Sequence, residues 1–148
     1  MSAVNERIMA DLKQAMRAGD QLARDALRMV RTDLGRREVE LGRALEETEE
    51  LDVLHKAVKA REESAQQYAE GGRDDLAEKE RREIEVIRRY LPEPLSEAEA
   101  REAVRELAAE LGATSKKDMG RLMKAVMERH RGRLDGKLAS RLANEVLS

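Results

Sequence analysis

Only two prolines occur in the 148 residues, and both fall within Tyr90-Leu91-Pro92-Glu93-Pro94-Leu95-Ser96. Each proline removes a backbone donor and pushes the residue before it towards extended geometry, so a helix that reaches Tyr90 cannot run on through the pair. Elsewhere the chain carries almost nothing that opposes helix. It has no Phe, Trp or Cys, and only two tyrosines, Tyr68 and Tyr90. Charged residues make up 41% of it, mostly Glu and Arg set among Leu and Ala. That mixture favours helix and lacks the aromatic side chains enriched in sheets. The fold class that follows is all-α: an N-terminal four-helix domain over residues 1–91, a linker at 92–95 and a small C-terminal three-helix module over 96–148.

Helical spacing supports the division. Val4, Ile8, Leu12, Ala15 and Met16 mark a first helix that Gly19 ends, with Asp20 placed to cap the next. Ala23, Leu27, Val30, Leu34, Leu41 and Leu45 mark a long second helix. Thr48 is expected to open a third, with Leu54, Val58, Ala65, Tyr68 and Ala69 inward, and Gly71-Gly72 to stop it. A fourth, from about Asp74 to Tyr90 and capped by Asp74 or Asp75, is expected to bury Ala77, Ile84, Ile87 and Leu91 and to expose the run Glu78 to Glu83. Beyond the prolines, Ser96 with Glu99 reads as a capping box before Ala100, Val104, Leu107, Ala108 and Leu111. Gly112 closes that helix. Ser115 with Asp118 repeats the signature before Met119, Leu122, Met123, Val126 and Met127. Asp135 can cap a last helix with Leu138, Leu142 and Val146.

Charge is distributed unevenly along this frame. From Gly112 to the end there are nine Lys and Arg against four acids, a surplus of five; since the whole chain carries −2, the rest carries −7. Such asymmetry points to a polyanionic partner for the basic end, nucleic acid above all. The candidate contacts are Lys116, Lys117, Arg121, Lys124, Arg129, His130, Arg131, Arg133 and Lys137. The segment Arg129-His130-Arg131-Gly132-Arg133 crowds cations beside a turn, a repulsion that an anion would relieve. Solvated surface charge is the alternative. With so few aromatic rings to stack bases, nucleic acid would be held by phosphate and shape.

Catalytic machinery is not evident. His55 and His130 are isolated in sequence, and no zinc-protease, Walker or nucleophile-elbow motif occurs. Glu46, Glu47, Glu49 and Glu50 read as surface charge at a helix start. Gly71-Gly72 reads as a helix cap rather than a phosphate loop, and the methionines of the sixth helix as core. No catalytic residue, metal site or cofactor is therefore assigned. Without cysteine, a leader-like N-terminus or a long apolar run, a cytoplasmic location with no membrane partner is expected.

Several motifs together carry a resemblance: Tyr68 with Gly71-Gly72-Arg73-Asp74-Asp75-Leu76-Ala77-Glu78-Lys79-Glu80, Tyr90-Leu91-Pro92, Lys117-Asp118-Met119-Gly120 and Asp135-Gly136-Lys137. In these the chain resembles the GatB/YqeY family over nearly its whole length, and within it the free-standing members. Those are similar to the C-terminal tail of the B subunit of the tRNA-dependent amidotransferase. Gly120, Met123, Lys124, Gly132, Arg133 and Leu138 match the shared tail motif, and Asp135-Gly136 stands where the amidotransferase tail commonly has Asn-Pro. The resemblance implies tRNA contact as an accessory, with amidotransferase subunits or other tRNA-handling proteins as partners. It also implies association with a carbon–nitrogen ligase that uses glutamine as amido-N-donor, although nothing here encodes that chemistry. A helical protein-interaction module that binds no RNA is the alternative, and an enzyme with an unrecognised site is a third class.

Overall fold

The computed structural model describes residues 3–147; Ser148, the last residue of the expected C-terminal module, lies outside them. Seven α-helices and one short 3₁₀ turn are present among these residues, and no strand. The helices are α1 (Ala3–Ala18), α2 (Gln21–Leu41), α3 (Glu47–Glu70), α4 (Asp74–Arg88), α5 (Glu97–Leu111), α6 (Met119–Arg129) and α7 (Gly136–Val146), with the 3₁₀ turn at Lys116–Asp118. The chain divides into two compact units, one up to Leu91 and one from Pro92 onward. Each has its own apolar cluster.

In the first unit α3 packs along α4, while α2 meets α1, α3 and α4. Ile8, Leu27, Val30, Leu34, Leu54 and Ile87 are fully buried there. The end of α4 is fastened to α1 by polar groups: the Tyr90 hydroxyl donates to Asp11, Arg7 donates to the Arg89 carbonyl at 3.2 Å, and the Arg7 guanidinium lies 5.0 Å from the Tyr90 ring centroid. Burial, and then the Asp11 carboxylate, push the Tyr90 hydroxyl well above its ordinary range.

Three boundaries differ from the sequence expectation, each for a local reason. Helix α2 ends at Leu41, where Gly42 adopts φ +69°, so Leu45 meets the core from the following loop instead of from the helix. Helix α3 opens at Glu46 rather than Thr48. The Glu49 carboxylate reaches back to the Glu46 N–H at 3.0 Å and is itself gripped by Arg43 at 2.7 and 2.9 Å. At the start of α4 the cap position belongs to Arg73, whose guanidinium holds Asp75 at 3.1 Å; Asp74 and Asp75 are in the first turn.

Burial also differs at particular residues. Met16 and Tyr68 face solvent. Glu83, expected in an exposed run, is buried and accepts from buried Arg61 at 3.1 Å between α3 and α4. Arg61 also donates to the Ala57 carbonyl at 3.1 Å. Glu50, read as surface charge, is only 1% exposed. Glu83 and Val86 on α4, with Tyr90 in the turn just beyond its end, have i, i+3, i+7 spacing and are all buried, a second inward stripe beside that of Ala77, Ile84 and Ile87.

In the second unit α5, α6 and α7 all touch one another. Ala100, Val104, Leu122, Val126, Ala139, Leu142 and Ala143 are fully buried, and its buried set is wholly apolar among the described residues. Ser96 caps α5 reciprocally with Glu99, with both bonds at 3.1 Å, and Gly112 ends it at φ +65°. Among the described residues no helix is long and apolar enough to cross a membrane.

Candidate nucleic-acid interface

The nine candidate residues are distributed over the 3₁₀ turn, α6, the turn after it and the start of α7. The turn at Lys116–Asp118 exists because Asp118 folds back over it, accepting from the Thr114 and Ser115 N–H groups at 3.1 and 3.3 Å. Those backbone bonds, Thr114 first, hold the Asp118 carboxyl below its usual range. Lys116 and Lys117 project from this turn and are exposed.

Helix α6 turns Leu122 and Val126 into the core and leaves Met119, Met123 and Met127 half-buried against it. Methionine here is mainly packing, as its spacing suggests. The opposite side carries Arg121, Lys124 and Glu128, all exposed. Arg121 lies 3.2 Å from Asp118. Helix α6 ends at Arg129; Gly132 then takes φ +81°, and the Arg133 N–H closes a turn onto the His130 carbonyl at 3.0 Å. A left-handed φ of this kind suits glycine, which has no Cβ to clash.

The turn does not leave all its cations to solvent. Arg129 reaches across to α5, with Nη1 at 3.2 and 3.0 Å from the two Glu110 oxygens. Arg133 donates through Nε to the Glu93 carbonyl at 2.9 Å, and its own carbonyl accepts from the Leu95 N–H at 2.8 Å. The segment after the first proline is thereby tied to the turn. His130 is half-buried, and Arg131 is exposed. Lys116, Lys117, Lys124 and Lys137 are exposed and form no ion pair with the described residues.

The acids of α5 explain this partition. Glu97, Glu99, Glu102, Glu106 and Glu110 stand against only Arg101 and Arg105, so from Pro92 onward there are eleven Lys and Arg against ten acids, a surplus of one. Arg141 on α7 pairs with Glu97, and Arg101 on α5 pairs with Glu145 on α7 at 3.1 Å. The basic surplus of the last quarter is therefore partly neutralised within its own unit. Sequence reading missed Glu97 and Glu110 as internal partners of Arg141 and Arg129. The available signal was the glutamate-rich composition of α5 next to an arginine-rich turn.

The model of the Yqey-like protein family matches residues 5–147. The chain belongs to the Yqey-like family. Among curated relatives of this family member, three are each named Altered inheritance of mitochondria protein 41, mitochondrial. The Candida glabrata protein is 38% identical over 92 residues, covering 60% of this chain and 50% of the relative. The Lachancea thermotolerans protein is 36% identical over 104 residues, covering 68% and 56%. The Saccharomyces cerevisiae protein is 31% identical over 85 residues, covering 57% and 46%. The chain spans about half the length of these relatives. Their names correct the expectation of a cytoplasmic location, since they point to mitochondria instead. The physical reason is that a cysteine-free composition carries no address. It suits any reducing compartment, and addresses are read by receptors from dedicated segments.

Proposed function

We propose that this Yqey-like chain is an accessory protein without chemistry of its own that binds tRNA, or a complex that handles tRNA, through phosphate contacts made by its C-terminal unit. The contacts are drawn from the candidate set Lys116, Lys117, Arg121, Lys124, Arg129, His130, Arg131, Arg133 and Lys137. The observation that carries the reading is the group of exposed lysines on the 3₁₀ turn, α6 and α7 that form no ion pair among the described residues. They lie in the stretch that resembles the amidotransferase tail. Mitochondria, the compartment in the relatives' names, are where partners are to be sought first.

The test is binding of labelled tRNA, with duplex DNA as control, followed by anisotropy across a salt series. With four phosphates engaged, affinity should fall by about 10²-fold between 50 and 200 mM salt. Absence of binding at 50 mM would remove the reading. A melting temperature raised by glutamine or a nucleotide would instead favour an enzyme. The same proposal takes the four-helix and three-helix units as separate domains joined at 92–95. A fragment 92–148 that melts cooperatively on its own would support that division.

A second reading has one observation in its favour. Met29 and Val39 on α2 are 54% and 82% exposed, which suits a helical protein-interaction surface that needs no RNA. Partners retained from lysate after nuclease treatment would favour it.

A further inference from the structure

Resting on the tRNA reading, we infer that the basic residues of the candidate set do not all share one role. Lys116, Lys117 and Lys124, with Arg121 among them, form a face for the phosphate backbone of base-paired RNA, whereas Arg133 is an internal staple of the module. The division follows from what each group touches. Arg121 and Lys124 fall at i and i+3 on α6, about 4.5 Å apart along its axis at 1.5 Å per residue, and Lys116 and Lys117 precede them on the 3₁₀ turn, all exposed. Arg121 shares Asp118 in an exposed pair, weak enough for phosphate to displace.

Just before this element the Asp118 carboxylate occupies the Thr114 and Ser115 amides, which are thereby closed to an anion. The recognising groups in this reading are side chains. Lysine serves as a point charge on a flexible stem, which suits phosphates whose positions vary and gives no planar fork for reading base edges.

Arg129 and Arg133 are occupied differently. Arg129 meets both oxygens of Glu110 on α5, but with both side chains 55% exposed the pair is as open to exchange as that of Arg121. Arg133 bonds twice to the 93–95 segment, once through its side chain and once through its carbonyl. Its charge also helps hold the Glu99 carboxyl at the start of α5 below its usual range, after the Ser96 backbone and hydroxyl contributions. The arginine of the Gly132-Arg133 turn thus secures the segment entering α5. Using its guanidinium on a phosphate would compete with the side-chain bond to the Glu93 carbonyl.

The base-paired substrate follows from the scarcity of stacking rings. Tyr68 and Tyr90, the only Tyr, Phe or Trp residues, both precede Pro92, and the one aromatic ring of the second unit is the half-buried His130 imidazole. Single strands are held by aromatic stacking as well as charge, while duplex RNA is held by phosphate and shape.

The experiment measures tRNA binding across a salt series for three proteins: the parent, Lys116→Gln/Lys117→Gln/Lys124→Gln, and Arg133→Gln. Melting temperatures are recorded in parallel, and an RNA hairpin and poly(U) of equal length serve as competitors. The lysine variant should lower the magnitude of the log–log salt slope by about three with an unchanged melting temperature. The arginine variant should keep the slope and melt lower, and the hairpin should compete better than poly(U). A slope lowered by the arginine variant but not by the lysine variant would overturn the assignment of the face. Equal competition by poly(U) would overturn the base-paired substrate while leaving tRNA binding intact. A parent protein that binds no tRNA would overturn the underlying reading as well.

Discussion

The two units treat charge in opposite ways. The first buries it: Arg61 and Glu83 meet between α3 and α4 with side chains 8% and 9% exposed, and Glu50 is buried at the start of α3. The second keeps its charged side chains out of an aliphatic interior and spends its arginines on pairs at the rim, as Arg129 with Glu110 and Arg141 with Glu97. A buried pair fixes the relation between two helices, because any other packing would strand an ion away from water. Exposed pairs hold weakly and exchange with solvent or with another anion. The first arrangement suits a scaffold, and the second suits a surface that must meet a charged partner.

The largest test of this contrast removes one member of the buried pair. Glu83→Ala should cost about 3–5 kcal/mol, measured by urea denaturation, because it leaves the Arg61 guanidinium buried without its carboxylate. The double change Arg61→Met with Glu83→Leu should restore most of that loss. A single change costing less than about 1 kcal/mol would mean that water reaches the pair and that the contrast is weaker than the burial suggests.

In the second unit the corresponding vulnerability is apolar. Leu122→Ala and Leu142→Ala, both at fully buried positions, should each cost about 2–5 kcal/mol through lost contacts and the cavity left behind. Calorimetry would register it. A smaller effect follows from the helix cap: Ser96→Ala removes the acceptor for the Glu99 N–H and should cost about 1 kcal/mol.

The finest distinction is in pH. In the second unit backbone N–H groups lower Glu99 from 4.5 and Asp118 from 3.8. For a carboxyl whose folded value is depressed, its stabilisation is fully present above the ordinary value and is lost as pH falls through the lower, folded one. In the first unit Glu49 is lowered to about 2, chiefly by its hydrogen bond from Arg43, so its contribution fades between pH 4.5 and about 2. Glu80 has the opposite sign. Burial, then the neighbouring Glu83, raise it above 4.5, and its contribution declines as pH rises through the folded value. Glu80→Gln should therefore flatten the pH dependence of unfolding above 4.5 and leave the acid limb unchanged. An altered acid limb would break the assignment.

Much of the fold was legible because the rules that write it are local. The proline pair forbids helix, Ser96 and Glu99 cap each other three residues apart, and Gly112 supplies a left-handed residue where α5 ends. Such features act within one or two turns, and an apolar stripe repeats often enough to survive a misplaced residue. Even so, local rules competed at Thr48, where Glu49 reached back to Glu46 and opened the helix earlier. The candidate site was legible only as a composition: eight Lys and Arg with one His in a short stretch, with no indication of which were engaged.

By itself, then, the sequence determined the helices, the break between them, their buried stripes and the basic character of the last quarter. The tertiary structure decided the partner of each charge. Arg61 finds Glu83 across 22 residues, Arg129 finds Glu110 across 19, and Arg133 finds the Glu93 carbonyl across 40. These choices depend on which helix faces meet, and the energy of a side-chain ion pair is set by its neighbours and exposure rather than by its distance along the chain.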